Sequence, residues 1–412
     1  MSAAETTVAP SSKKPPKVKS RRRWLQFSLR TLMIAMLVLS IGFGEIGRRI
    51  YQANDQAAKV AALRSLGVAV QYEIEFSNDE SGKISNVSRQ RSNLQRQIVT
   101  WLGNDFAFKV HGLKTTGPPP ASTQERNAFW RIAASFPELC SLTAGPEWCD
   151  GSGLARLRGK TSMRSLSLYA REPTNEDLEV IGTLVNLQRL HFMAGGKRPS
   201  LMDDRGLVHL DRLEDLRDLA LGEFGITDAS LSHLSSHPRL TSLSLSSTAI
   251  TDQGLTNLAG LSRLEHLNLS QTRVSDEGLR HLKPLRNLLT LSLHDTNVRG
   301  PGLEHLQSLP ILKQLYLDTK FIDDDDLKHF EGLHDLLEIR LDESQITDAG
   351  LRRFHPPANA YSMSLFRTGV TDYGLISLAR YPQIQVLNVT YTRVTPEGVA
   401  AFQKAAPRCQ VK

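Results

Sequence analysis

The chain has 412 residues, a length that allows two or three ordinary domains or one long repeat array. It contains 50 Lys or Arg and 43 Asp or Glu, which gives a formal net charge of +7. Positions 1–50 hold ten basic and two acidic residues, so positions 51–412 hold 40 basic and 41 acidic residues. This near-neutral balance excludes a nucleic-acid-binding domain there, because such a domain needs clustered positive charge. With three cysteines, no Cys-x-x-Cys pair and no clustered histidines, the sequence predicts no metal and no cofactor.

The first 48 residues have the composition of a membrane-targeting end. Residues 1–23 are basic and rich in Ala, Pro and Ser, which predicts a disordered cytoplasmic tail. Between Arg30 and Arg48, 17 residues carry only one charge, Glu45, and this length is the lower limit for a helix that crosses a bilayer. We therefore predict a single-pass transmembrane anchor over residues 24–48.

The charge asymmetry of this segment predicts its orientation. Eight Lys or Arg precede the apolar stretch, and only Arg48, Arg49 and Lys59 follow it closely. The positive-inside rule then places the N-terminus in the cytoplasm and the rest of the chain outside it, in the periplasm or at the cell surface. Two alternatives stay open: a helix buried in a core, and a signal peptide cleaved near Gly42 or Gly44, which would release a soluble exported protein.

Residues 49–138 are predicted to form an N-terminal cap or juxtamembrane region. Helical periodicity covers residues 51–66 and ends at Gly67, and a second helix is predicted over residues 94–102. Val110-x-x-Leu113 has the spacing of a degenerate first repeat. An alternating strand is predicted from Val68, Val70, Tyr72, Ile74 and Phe76.

Residues 139–412 repeat one pattern, Leu-x-x-Leu-x-Leu. Successive starts lie 24 residues apart, with one interval of 29, at Leu139, Met163, Leu187, Leu216, Leu240, Leu264, Leu288, Leu312, Leu336, Ala360 and Ile384. Such a fixed period predicts a stack of about eleven coils. Arg408 falls on the next start and Val411 on its second leucine position, so we predict a C-terminal cap over residues 403–412.

Each repeat carries the same residue types after its strand. A β-branched residue stands ten positions after the start, an Asp follows two positions later and a Gly two positions after that, as in Ile250, Asp252 and Gly254. Thr-Asp pairs such as Thr251-Asp252 predict the N-terminal cap of an outer helix, and the glycine admits close approach of the adjacent coil. We expect a further set of hydroxyls to form hydrogen bonds along a ladder between the loops of neighbouring coils. They belong to Thr248, Thr272, Thr296, Thr368 and Thr392.

This unit resembles the leucine-rich repeat family in a short form. The resemblance implies an α/β solenoid, a horseshoe with parallel strands on its concave face and short helices on its convex face. Because family members commonly have Asn where these threonines stand, the usual asparagine ladder is not assumed. The N-terminal region is similar to membrane-anchored leucine-rich repeat proteins of planctomycete bacteria. The residues that carry this similarity are Arg22-Arg23-Trp24-Leu25-Gln26-Phe27-Ser28-Leu29-Arg30-Thr31-Leu32, Leu66-Gly67 and Trp101-Leu102-Gly103-Asn104-Asp105-Phe106. The resemblance implies an envelope location and supplies no known ligand.

The residues between the leucines of each strand face the concave side, which is the usual working surface of a solenoid. On neighbouring strands they form columns of polar side chains, with Tyr, His and Arg interspersed. Such a surface suits a protein or glycan ligand. We predict that it includes Ser244, His266, Asn268, Ser292, His294, Tyr316, Asp318, Glu338, Arg340 and Asp342.

Catalytic and metal-binding interpretations of this surface are disfavoured. Ser270, His294 and Asp318 have the residue types of a hydrolytic triad, but an open sheet offers neither an oxyanion hole nor a pocket. The acidic run over residues 323–326 falls where an outer helix begins, where carboxylates act as caps. Asp318 and Asp342 with His294 have the residue types of a weak divalent-cation site, but a solvated rim is favoured.

The predicted function is therefore that of a non-enzymatic, membrane-anchored scaffold for protein–protein or protein–glycan recognition. The alternative is a structural component of the cell envelope whose repeats associate with copies of the same chain. The sequence leaves the oligomeric state and a Cys140–Cys149 disulfide open.

Overall fold

The computed structural model describes residues 29–72, 109–117, 120–149, 151–170, 173–194, 202–318 and 320–412. It divides into two units, Met1–Asp55 and Gln56–Lys412. The predicted tail over residues 1–23, the strand positions Ile74 and Phe76 and the helix predicted over residues 94–102 lie outside the described residues.

The first helix, α1, spans Leu29–Ser65. Residues 51–66, predicted as a separate helix, form its last part. The helix ends before Gly67, which takes a φ of 73° in the left-handed region that glycine adopts at little cost.

In the first unit, the carboxylate of Glu45 pairs with Arg48 at 2.8 Å and with Arg49 at 3.2 Å. Within the described part of the chain, no helix combines the length and the apolar character that a bilayer crossing requires. The anchor predicted over residues 24–48 begins outside the described residues and stays a prediction.

The second unit contains one sheet whose strands follow chain order, fourteen of them in the described residues. β1 (Val68–Tyr72) pairs antiparallel with β2 (Val110–Thr115), and the later neighbours pair parallel. Because parallel neighbours require a crossover connection, the chain winds as a solenoid. The later strands are β3 (Ser141–Ala144), β4 (Ser165–Ala170), β5 (Arg189–Ala194), β6 (Asp218–Gly222), β7 (Ser242–Ser244), β8 (His266–Asn268), β9 (Thr290–Ser292), β10 (Gln314–Tyr316), β11 (Glu338–Arg340), β12 (Ser362–Ser364), β13 (Val386–Asn388) and β14 (Gln410–Val411).

The strand pairing places the second apolar residue of every coil in a single file. This register confirms the predicted solenoid, and it includes the degenerate repeat at Leu113. All members of the file are buried except the half-buried Val411 at its end. The file consists of Leu113, Leu142, Leu166, Leu190, Leu219, Leu243, Leu267, Leu291, Leu315, Ile339, Met363, Leu387 and Val411.

An aromatic cluster fills the N-terminal end of this core. α2 (Thr123–Ser135) contributes Phe129 and Trp130, both fully buried. The Trp130 indole N–H donates to the Trp148 carbonyl at 2.8 Å, which satisfies the polar group that burial would otherwise leave unpaired. No disulfide joins Cys140 to Cys149 in this structure, so the open disulfide alternative is not realised.

Short helices occupy the other side of the coils. The α-helices are α3 (Gly151–Leu154), α4 (Asn175–Ile181), α5 (Asp204–Leu207), α6 (Leu231–Leu234), α7 (Asp252–Leu255), α8 (Asp276–Leu279), α9 (Asp348–Arg353), α10 (Asp372–Ser377) and α11 (Pro396–Ala405). Between or after them lie 3₁₀ helices at Ala155–Leu157, Val208–Arg212, Asp228–Ser230, Thr256–Gly260, Arg280–Leu282, Gly300–Ser308, Asp326–Phe330 and Leu378–Arg380.

Threonine caps most of these outer helices, as predicted. In α7 the Thr251 hydroxyl accepts from the Gln253 backbone N–H at 3.3 Å, which satisfies one of the free donors at the helix start. Ser275 differs, because its side chain makes no such cap.

The aspartate after each cap bonds to the next coil. Asp228 accepts from the Thr251 backbone N–H at 2.8 Å and from the Thr251 hydroxyl at 2.5 Å. The same pair of bonds recurs from Thr227, Ser275, Thr347, Thr371 and Thr395 to Asp204, Asp252, Asp324, Asp348 and Asp372. We call these inter-coil bonds the aspartate ladder.

The aspartate ladder is interrupted at Gly300. Arg299 still donates its backbone N–H to Asp276 at 2.7 Å. Gly300, however, stands where the coils on either side have Asp276 and Asp324, and it brings no carboxylate. Asp323, which stands where Thr347 stands in the following coil, therefore donates its backbone N–H to Asp326 of its own coil at 3.0 Å. The Asp326 carboxylate also accepts from the Gly300 backbone N–H.

The threonines after the strands do not form the expected ladder of loops. The Thr248 hydroxyl donates to the Leu245 carbonyl of its own coil at 2.6 Å. The hydroxyls of Thr272, Thr296, Ser344, Thr368 and Thr392 do the same three residues back. That part of the prediction was wrong, because a short hydroxyl reaches the nearest carbonyl before the next coil.

His237 interrupts a column of leucines. It takes the position that Leu213 and Leu261 hold in the adjacent coils, and it is fully buried. Neither ring nitrogen makes a well-formed hydrogen bond, and the polar contact of the ring is with the backbone of Leu213. Burial lowers the pKa of His237, because a charged imidazolium is unfavourable in apolar surroundings.

Candidate functional site

The predicted binding residues lie on β7–β11 in register with one another. One column runs through Ser242, His266, Thr290, Gln314 and Glu338, and the next through Ser244, Asn268, Ser292, Tyr316 and Arg340. Because strand pairing is parallel and unshifted, residues that are 24 positions apart are direct neighbours.

The first column is a chain of hydrogen bonds across four strands. The Thr290 hydroxyl donates to Gln314 Oε1 at 2.8 Å, and Gln314 Nε2 donates to Glu338 Oε2 at 3.0 Å. His266 Nδ1 lies 3.1 Å from the Thr290 hydroxyl and donates to it, since that hydroxyl's proton is already used. These bonds hold the side chains in fixed rotamers before any ligand arrives.

Tyr316 and Arg340 continue this network into the second column. The Tyr316 hydroxyl donates to Glu338 Oε2 at 3.5 Å, and the Arg340 guanidinium carbon lies 5.3 Å from the centre of the Tyr316 ring, within cation–π range. Burial and the negative charge of Glu338 raise the pKa of Tyr316. Its hydroxyl therefore stays a protonated donor.

A third column with the same 24-residue spacing contains a partly buried His294–Asp318 pair; it runs through Ser246, Ser270, His294, Asp318 and Asp342. Their Nδ1 and Oδ2 atoms are 3.5 Å apart, and the Asp318 side chain is 16% exposed. His294 Nδ1 and Asp318 Oδ1 have no hydrogen-bond partner. Burial, with the negative charge of Asp342 beside it, raises the pKa of Asp318.

Two further members of the predicted site, Asp342 and Asn268, have partners within the sheet face. Asp342 accepts from the Phe366 backbone N–H at 2.9 Å and from the Ser364 hydroxyl. Asn268 Oδ1 accepts from the Ser270 backbone N–H at 2.9 Å. These two residues therefore stabilise the surface locally, and less of their polar surface is left for a ligand.

The residues of the hydrolytic triad do not assemble into one. The Ser270 hydroxyl shares a 2.8 Å hydrogen bond with the Ser292 hydroxyl, whereas His294 pairs with Asp318 and, at 3.7 Å, with Asp295. That the chain is not an enzyme stays a prediction.

No group of three or more His, Cys, Asp and Glu suited to a metal ion occurs among the described residues. The acidic run over residues 323–326 is occupied by local bonds. Asp323 Oδ1 accepts from the Asp325 backbone N–H at 2.9 Å, Asp326 accepts from Asp323 and Asp324 belongs to the aspartate ladder.

A second cluster lies beyond the residues chosen from the sequence. The Phe366 and Tyr391 rings meet edge to face with centres 5.2 Å apart. Arg367 lies 5.4 and 5.8 Å from the two ring centres and pairs with Glu343 at 3.0 Å. Tyr391 is 74% exposed. Extending the third column by one interval reaches Phe366, so the same periodicity contained a signal for this cluster.

Comparisons with known proteins agree with the repeat and the fold. Residues 237–259 and 262–282 match the family model described as Leucine Rich repeat. An internalin from Listeria monocytogenes (inlF) is similar in structure, with a TM-score of 0.51 and 18% identity over 78% of this chain and 94% of that one. A TDR receptor gives a TM-score of 0.40 and 14% identity over 66% and 47%. A search of curated proteins gives no match.

The fold of the second unit is thus that of a leucine-rich repeat solenoid. The likeness to the internalin rests on 18% identity and shows the fold alone. The narrower similarity to planctomycete proteins stays a prediction from the N-terminal residues.

Proposed function

We propose that this chain is a non-enzymatic recognition scaffold that binds a protein partner on the strand face between β8 and β13. The observation that carries the proposal is the fixed Tyr316–Glu338–Arg340 group. Its members are held by hydrogen bonding and cation–π contact at the surface of a long parallel sheet. A preorganised surface binds with less loss of side-chain entropy.

The residue types favour a protein over a glycan. Tyr and Arg carry much of the binding energy in protein interfaces, and the strand face offers Tyr316 and Arg340, followed by Phe366, Arg367 and Tyr391. The rest of the face is polar and small, as the rim of an interface is. A glycan ligand is the second candidate, and the polar column over His266, Thr290 and Gln314 is what favours it.

Site-specific crosslinking tests this proposal. A photoreactive residue at Ser292, the strand neighbour of Tyr316, should capture a defined partner in the producing cells. A photoreactive residue at Lys328 on the helical side should not. Tyr316→Ala with Arg340→Ala should remove the captured product and weaken binding to the identified partner by about 2 kcal/mol or more, the usual cost of losing a hot spot.

Tyr373→Ala with Arg352→Ala is the matched control, since both side chains are exposed on the helical side. Equal loss in the two double variants would contradict a strand-face site. Loss of binding after enzymatic removal of the partner's sugars would favour the glycan. If the captured product is only a second copy of this chain, the structural, self-associating alternative is correct.

Membrane attachment through residues 24–48, with the repeats outside the cytoplasm, is part of the same proposal. The basic, apolar sequence of this segment supports it. The full chain should stay with membranes after an alkaline carbonate wash, and protease added to spheroplasts with an intact inner membrane should cleave the repeats. A full-length chain found only in the soluble fraction would contradict attachment.

A further inference from the structure

One coil carries three basic residues where its neighbours carry none. Arg280, Lys283 and Arg286 are spaced three residues apart. The equivalent positions 24 residues earlier hold Thr256, Ala259 and Ser262, and those 24 residues later hold Glu304, Gln307 and Pro310. The positive charge is therefore a property of this coil and not of the repeat.

The local structure brings these side chains to one cavity. Arg280 begins the 3₁₀ helix Arg280–Leu282 and Lys283 is its C-terminal cap residue, while Arg286 follows in the connection to β9. The small side chains of the preceding coil leave space beside them. The resulting surface cavity, of about 430 Å³, is lined by Thr256, Ala259, Arg280, His281, Lys283, Pro284 and Arg286.

The charges of this cavity are mostly uncompensated. None of its lining residues is acidic. Arg280 pairs with Glu277 at 2.9 Å and also donates to His281 Nε2 at 3.4 Å. Lys283 and Arg286 make no side-chain hydrogen bond or ion pair with the described residues. Like charges placed this close repel each other, so their grouping does not stabilise the fold.

We propose that this cavity binds a small molecule that carries a phosphate or sulfate group. Guanidinium groups bind oxyanions in a bidentate manner, and the Lys ammonium adds a mobile point charge. The volume falls within the roughly 300–1,000 Å³ range of small-molecule sites, which leaves room for a body beyond the oxyanion. The Thr256 hydroxyl donates its proton to the Gln253 carbonyl at 2.7 Å, so it can accept a hydrogen bond from that body. This site lies on the helical side and is independent of the function proposed for the strand face.

Calorimetric titration of the full chain with inorganic phosphate at constant ionic strength tests the proposal. We expect saturable binding of one ion, weakened at least about tenfold in Lys283→Gln with Arg286→Gln, as loss of charged hydrogen bonds implies. Lys328→Gln with Arg352→Gln removes the same charge from the helical side outside the cavity and should keep the affinity. Absence of saturable binding, or equal weakening in both double variants, would overturn the proposal.

Two further ligands identify the source of the oxyanion. A hexose phosphate that binds more tightly than phosphate, and only with Lys283 and Arg286 intact, would assign a soluble ligand. A water-soluble, short-chain phosphatidic acid that displaces inorganic phosphate from the wild-type chain, and does not bind that double variant, would assign a lipid headgroup. If neither ligand binds more tightly than inorganic phosphate, the inference of a larger molecule is wrong.

Discussion

At the scale of single residues, His237 shows how one side chain changes the behaviour of a uniform core. The coils on either side fill its position with Leu213 and Leu261. Asp211, the nearest acid, already pairs with His233 at 3.1 Å, and its negative charge does not offset the cost of burying a charged imidazole. His237 is therefore neutral in the folded chain.

The pKa of His237 is lower in the folded than in the unfolded chain. As the pH falls, the unfolded chain therefore binds more protons than the folded chain does. The free energy of unfolding should therefore be highest above about pH 6.5, the pKa of histidine in the unfolded chain. It should fall as the pH drops towards the folded value, by up to about 1.4 kcal/mol per pH unit. Urea unfolding at pH 7, 6 and 5 measures this slope.

His237→Leu should flatten that dependence and raise stability at pH 5, because it restores the leucine column. His305→Leu, an exposed histidine on the helical side, should leave the slope unchanged. A His237→Leu slope equal to that of the wild type would show that other groups cause the acid sensitivity.

The residue-level contacts of the candidate site were only partly predictable. The register identified which side chains are neighbours, such as Thr290 and Gln314. It did not identify their rotamers, so the Ser270–Ser292 bond that replaces a triad and the bonds that occupy Asp342 required coordinates. Phe366 lay on an extension of the same column and was missed because the columns were ended at β11.

At the scale of elements, the aspartate ladder joins each outer helix to the next coil. Asp228→Ala should remove both acceptors of Thr251 and leave a partly buried N–H unpaired, at a cost of about 1–3 kcal/mol. Thermal and urea unfolding measure the cost. Asp335→Ala, an exposed aspartate, is the control, and equal costs would show that the ladder adds no stability.

The glycines of the outer helices are required by the same ladder. A Cβ on Gly254 would lie 2.3 Å from Asp228 Oδ1, whereas a Cβ on Gly260 would meet nothing within 4 Å. Gly254→Ala should therefore destabilise by about 1–3 kcal/mol, the usual cost of overpacking. Gly260→Ala should be neutral or slightly stabilising. Unfolding curves that rank them in the reverse order would contradict the contact.

Helix starts were predicted from Thr-Asp pairs because capping is local and has residue preferences. The inter-coil use of the aspartate was not predicted. Its partner is 23 residues away, and a carboxylate at a helix start is explained equally well by the helix dipole alone.

At the scale of the whole second unit, position in the file determines what a core residue contributes. Leu291 is fully buried between Leu267 and Leu315, so Leu291→Ala should cost about 2–5 kcal/mol. Val411 ends the file with a neighbour on one side and is half-buried. Val411→Ala should therefore cost much less, and equal losses in unfolding experiments would contradict the stacked file.

The period of 24 residues was sufficient to predict the sheet because a fixed interval forces every coil to place the same side chain in the same environment. It also located the first coil at Leu113 and the half-strand at Val411. What the period could not supply were departures from it, such as His237 or the three basic residues of one coil, whose consequences depend on the surrounding side chains.

The interruption of the aspartate ladder at Gly300 lies between the coils of β9 and β10. Those coils remain joined by strand pairing, by core contacts and by the bond from the Gly300 backbone N–H to Asp326, but they lack the pair of bonds that the aspartate ladder makes at other junctions. Heat or mechanical force should therefore separate the solenoid there first. On the opposite face, the Thr290–Gln314 and His294–Asp318 pairs cross the same junction between the two coils. A partner that binds residues of both coils there should therefore hold the coils together.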